Sequence, residues 1–242
     1  MEVHHHPEVE KKGLKEYILE GLMIFIAVTM GFFAESIREN ITNREHAEQL
    51  TTQLVTELKS DTAQLREIDS AESKILAQMD TLSLLLKQPM AKADMKSIQK
   101  QITRAYSMWP FHSGAGAAIN AIKSEIRLKQ FSGTKISYYI SIYEGRADLL
   151  HKIEALENDL KQKVFNAFFS DHFTYDNLSA ALNGKPIVND QMRDLTQNDL
   201  VRFNVNLVLI RAYTGEQLNY ARRTKKDAIT LMDYVKKQYE LE

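Results

Sequence analysis

Two stretches of this sequence hold residue types that could do chemistry. The first is the run His4-His5-His6, since neutral imidazoles are the commonest nitrogen ligands of transition metals. The second is Trp109-Pro110-Phe111-His112-Ser113-Gly114-Ala115-Gly116, where Trp109, Phe111 and His112 beside a glycine turn could line a ligand pocket. Each has a plainer reading that weighs more. Three adjacent histidines cannot all face one ion with good geometry, and no carboxylate-rich or cysteine partner follows them at a ligand-like spacing; an engineered tag is a further plain reading. The aromatic stretch also suits a packed corner between helices. Ser113 lacks a nucleophile elbow around it, and Gly114-Ala115-Gly116 lacks the Gly-Lys-Ser/Thr ending of a phosphate loop. No catalytic residues and no cofactor are expected.

The bulk composition narrows the classes further. The 242 residues carry a formal net charge of -1 and show no basic stripe, so no nucleic-acid partner is expected. The absence of cysteine excludes disulfides, thiolate metal sites and cysteine nucleophiles. Only 9 glycines and 4 prolines are present, and the long intervals between them favour helices.

The elements that must position these residues begin with an apolar segment. Residues 21 to 34 carry no charge, and Ile18 and Leu19 extend the run across Glu20. At 1.5 Å per residue, positions 18 to 36 span roughly 28 Å, enough for a hydrocarbon core of about 30 Å. Tyr17 with Lys11, Lys12 and Lys15 supplies the aromatic and snorkelling cations of a membrane boundary. A signal-peptide core and a buried core helix are the competing readings of such a run. The lysines before the span, against Arg38 and Arg44 mixed with Glu35, Glu39 and Glu45 after it, lean toward a cytoplasmic N-terminus with the rest of the chain in the periplasm.

No glycine or proline interrupts Phe32 to Gln88, so the spanning helix is expected to run on as a stalk until Pro89, with a kink near Gly31 or Thr42-Asn43 allowed. Leu54, Ile68, Ile75 and Leu82 occupy one heptad position and Leu58, Leu65, Met79 and Leu86 the other, the pattern of a coiled-coil seam. Asp61 and Glu72 interrupt it, so a partner helix must accommodate charge there or bend away. Further helices are expected over 91 to 107, from about 114 through Ile119, Ile122, Ile126 and Leu128 with Ser113 as its N-cap, over 134 to 169, and over 196 to 239. The run Val201 to Ile210 is read as buried helix. The fold class is all-α: residues 1-13 form a tail, 14-38 a transmembrane helix, and 39-242 a helical stalk and elongated antiparallel bundle outside the membrane.

The opening Glu2-Val-His-His-His-Pro7 and Lys15 to Glu39 resembles an uncharacterised family of small single-pass Bacteroidota membrane proteins with a domain of unknown function. Ala118 to Leu128 is similar to a second stretch of that family, with Glu125 where the family has glycine. The resemblance implies a Gram-negative inner membrane and a single span, and carries no activity. The seam and the lack of a reaction site predict a non-enzymatic protein, a homo-oligomer or envelope-complex subunit anchored in the lipid bilayer. A sensor-like ligand-binding bundle, a metal-binding role for His4, His5 and His6, and a hydrolase are the alternatives.

Overall fold

The computed structural model describes residues 13–125 and 130–241, which form two units, residues 1–49 and 50–242. His4, His5, His6, Ile126 and Leu128 lie outside the described residues. The described residues hold six α-helices: α1 (Leu14–Leu86), α2 (Met95–Ala105), α3 (Gly116–Ser124), α4 (Ile136–His172), α5 (Tyr175–Leu182) and α6 (Gln197–Gln238). No strand occurs among the described residues. The all-helical class therefore stands, and no interruption occurs at Gly31 or Thr42-Asn43, because α1 runs unbroken to the residue before Lys87-Gln88-Pro89.

In the first unit no residue from Leu14 to Thr42 is buried, and the apolar side chains of Leu22, Ile24, Phe25, Val28, Phe32 and Phe33 are more than half exposed. An 18-residue window here is long and apolar enough to cross a membrane by length and composition. Thr29, the one hydroxyl between Gly21 and Ala34, donates to the carbonyl of Phe25 at 2.7 Å, which satisfies it without water.

In the second unit the heptad seam is consumed inside the chain. Leu54, Leu58, Leu65, Ile68, Ile75, Met79, Leu82 and Leu86 are all buried. Ile75 to Leu86 pack with Phe165, Phe203 and Ile210, and Leu65 and Ile68 pack with Ala147, Leu150 and Ala221, so the partners of the seam are α4 and α6. The partner helices that the seam calls for are thus found within the same chain. Arg211 meets Asp80 and Arg222 meets Asp69, so α6 runs antiparallel to α1; Phe168 meets Phe203 and Arg146 meets Asp227, so it is antiparallel to α4 as well. A Thr196–Asp199 capping box starts α6.

The remaining column consists of α2, the extended stretch 107–115 and α3. It returns along α1 as a helix broken in the middle. The expected helix over 91–107 is a short 3-10 turn, Met90–Lys92, followed by α2, whose N-cap Asp94 accepts from Ser97 N–H. Beyond the expected end at 169, α4 runs on to His172, and α5 follows. Val201 to Ile210 is helical with Leu200, Phe203, Leu207 and Ile210 inward, but Val201, Val205, Val208 and Leu209 are half exposed, so the run is apolar on both faces and only partly buried.

Truncating the internal seam leaves a cavity, so Met79→Ala or Leu65→Ala is expected to lower unfolding free energy by about 2–5 kcal/mol. Leu84→Ala, at a position 66% exposed, should change it by less than about 0.5 kcal/mol. Denaturant unfolding of the detergent-solubilised chain measures both.

Candidate functional site

The three aromatic candidates are not brought to one pocket. Phe111 is 1% exposed and sits in the core with Leu65, Ile68 and Leu150, stacked on His151 at 5.5 Å between ring centroids. Trp109 is half exposed and borders an open groove of about 460 Å³ with Glu67, Ser70, Lys74, Gln78 and Ser107. His112 is exposed, and its backbone N–H donates to Gln64 Oε1 at 2.9 Å. The pocket expected from Trp109, Phe111 and His112 is thus corrected to one core residue, one groove residue and one surface residue. Among the described residues no group of three or more histidines and carboxylates could hold a metal ion.

The chemically distinctive site is the polar layer where the second column loses its helix. Backbone groups of a broken helix inside a core need partners, because an unpaired buried amide costs as much as a lost hydrogen bond. The charges on α1 and α4 supply them. Asp61 accepts from the N–H groups of Gly114 (2.7 Å) and Ala115 (3.2 Å), from Ser113 Oγ and from the Tyr143 hydroxyl. One turn earlier on the same face, Glu57 accepts from Ala118 N–H at 3.1 Å. These two carboxylates cap the N-terminus of α3 from another helix, where negative charge is also favoured by the helix dipole. Ser113, expected to be the N-cap, makes no cap bond and joins Asp61 and Tyr143 instead. Added Cβ atoms explain Gly114: one there would lie 3.3 Å from Asp61 Oδ1, tighter than ordinary contact.

On α4, Glu154 Oε1 accepts from Phe111 N–H at 2.8 Å, and Lys161 Nζ donates to the carbonyl of Ser107 at 3.2 Å and to Glu157 Oε1 at 2.6 Å. Thr214 of α6 also donates to Glu157. Lys161 and Glu157 are each 1% exposed. Burial raises the affinity of Glu154 for its proton, opposed by the Phe111 N–H and by His151. Burial likewise holds the Tyr143 hydroxyl well above the usual tyrosine range, reinforced by its bond to Asp61.

Glu72 is the uncompensated member. It is fully buried, and neither carboxyl oxygen has a hydrogen-bond partner. Burial pushes its pKa up to about 7; Lys161 opposes this, whereas Glu157 and Glu154 add to it. Glu157 Oε2 and Gln217 Oε1 are unpartnered in the same part of the core. The layer separates the apolar cluster around Phe165 from the one around Leu150. Sequence reasoning found Asp61 and Glu72 as seam interruptions but missed Glu154, Glu157 and Lys161. The signal was present: 150, 154, 157, 161 and 165 keep the same 3-4 spacing as the buried apolar positions of α4.

No protein-family model, no curated protein and no solved structure matches the chain.

Asp61→Ala strands the Gly114 and Ala115 amides and the Tyr143 hydroxyl, and is expected to cost about 3 kcal/mol or more in unfolding free energy. Asp61→Asn, which keeps an acceptor oxygen, should cost less; the two unfolding curves test the order. For Glu72 the folded pKa of about 7 lies above the unfolded 4.5, so its contribution is fully present below about pH 4.5 and is lost as pH rises through 7. Glu72→Gln should therefore match the parent near pH 5 and exceed it at pH 8 by up to about 3 kcal/mol, read from paired melts across that range.

Proposed function

We propose that this chain is a single-pass membrane protein whose helical bundle is a non-enzymatic assembly module, acting as a homo-oligomer or as a subunit of an envelope complex. The observation that carries the reading is the stretch from Ile18 to Ala34, apolar but for Glu20 and Thr29 and with no buried residue among those described. A helix apolar all round belongs in an apolar surrounding, and lipid is the one its length fits. The resemblance of residues 1 to 39 to single-pass inner-membrane proteins supports the same placement, with lysines marking a cytoplasmic N-terminus and the bundle in the periplasm.

Assembly cannot use the seam of α1, which is spent on α4 and α6. The outward face of α6 offers an alternative: Val201, Val205, Val208 and Leu209 lie within three turns and are all half exposed or more. Contiguous apolar surface of this kind, next to polar surroundings, marks interaction sites. The charged groups of the core favour a structural role over catalysis, because Asp61, Glu154 and Lys161 are already bonded to the backbone of the same chain.

The membrane reading predicts that the chain stays with the membrane fraction through an alkaline wash and is released by detergent. In mild detergent, light scattering is expected to give a defined multiple of the 27.8 kDa chain mass, or a stoichiometric partner by mass spectrometry. Leu209→Lys should lower that mass without loss of helix content. A monodisperse monomer with nothing bound overturns the assembly reading, and release by alkaline wash overturns the anchor.

A further inference from the structure

Away from the polar layer, a second concave site lies between α2 and the loop after α5. Lys96, Lys100 and Arg104 recur at i, i+4 and i+8, so they stand in a row on one face of α2. Facing them across a groove of about 420 Å³ is Lys185, with Ala181, Gly184, Pro186 and Ile187. All four cations are exposed, and none has a carboxylate within ion-pair distance among the described residues. No carboxylate lines the groove. The nearest acid on α2, Asp94, is engaged as the N-cap with Ser97 N–H and Ser97 Oγ at 3.0 and 2.7 Å.

The opposite wall is held in place rather than placed by chance. Gly184, at φ +67°, closes α5 with a paired-bond cap in which Lys185 N–H donates to Ala180 O and Gly184 N–H to Ala181 O. The fully buried Asn177 then ties the following loop by bonds to Asn189 and Gln191 backbone carbonyls at 3.1 Å. Gln99 of α2 reaches the same Asn189 carbonyl, so both walls share an anchor.

Like charges four residues apart on a helix repel, and here two such pairs follow one another with a fourth cation opposite. Asp94 at the start of α2 offsets Lys96 in part and no carboxylate lines the groove beside the others, so an anion placed there relieves the repulsion and gains several charge-assisted bonds. Arg104 offers a planar fork suited to phosphate and the lysines compact charges, whereas the Thr103 hydroxyl donates back to the Gln99 and Lys100 carbonyls. We propose that this groove binds a phosphate-bearing anion, held by Lys96, Lys100 and Arg104 on one wall and Lys185 on the other. The row on α2 is about 12 Å long, more than one phosphate spans, so ligands with two linked phosphates are preferred over orthophosphate. The phosphates belong to a soluble diphosphate or to a lipid headgroup.

The test uses the full chain in neutral detergent at low salt. Binding of inorganic diphosphate, orthophosphate and a monomeric short-chain phosphatidate is followed by titration, with Lys100→Glu, Arg104→Glu and, on the other wall, Lys185→Gln as variants. These exposed positions leave the core untouched, and unchanged melting curves confirm it. Expected are diphosphate or phosphatidate binding at least 10-fold tighter than orthophosphate, a steep loss with added salt, and a 10-fold or larger loss in either charge reversal. Tighter diphosphate identifies a soluble ligand as the source, and tighter phosphatidate a headgroup. No binding of any probe at low salt, or binding that survives both reversals, overturns the proposal.

Discussion

A helix that stops halfway through a hydrophobic core leaves amides and carbonyls with no water to turn to, and in this bundle the break between α2 and α3 is closed by charges from two other helices. Asp61 and Glu57 receive the amides that open α3, Glu154 receives the amide of Phe111, and Lys161 holds the carbonyl of Ser107. The location of Phe111 in the core, of Trp109 on the groove, and of α3 against α1 all follow from these bonds. Without the break the charges would be costly seam defects; without the charges the break would be a row of unsatisfied backbone groups.

The same layer divides the core. Above and below it the three long helices meet through apolar side chains, and between them lie Glu72, Glu157, Lys161, Thr214 and Gln217. Burial, reinforced by the charges of Glu157 and Glu154 and opposed by Lys161, pushes the pKa of Glu72 up to about 7. A register slip of one turn in α4 would take Lys161 away from Glu157 and Ser107 and leave charges facing Phe or Ile. Polar layers of this kind cost stability and select one alignment.

Outside the core the chain is chemically lopsided in two places. One long stretch of α1 has exposed apolar side chains, and in one groove near α2 the charged lining residues are all cations. The first has the length and composition of a membrane-crossing segment. The outward face of α6 is apolar as well.

The helices themselves were legible in the sequence, because scarce glycine and proline and the 3-4 spacing of Leu54 to Leu86 and Leu200 to Ile210 depend only on local geometry. So was the apolar stretch of α1, a matter of composition over one helix length. What the seam packs against was not legible: a heptad pattern reads the same whether its partner is another chain or α4 and α6 of its own, and only the return of the chain decided it. The aromatic stretch around Trp109 was visible as a break, but its residues part company because Glu154 of α4 holds the Phe111 amide and Gln64 of α1 the His112 amide. The cationic groove escaped for the same reason, since Lys185 joins Lys96, Lys100 and Arg104 only after α5 folds back. Periodicity is a property of one helix; charge satisfaction and concavity are properties of several, and they exist only once the helices meet.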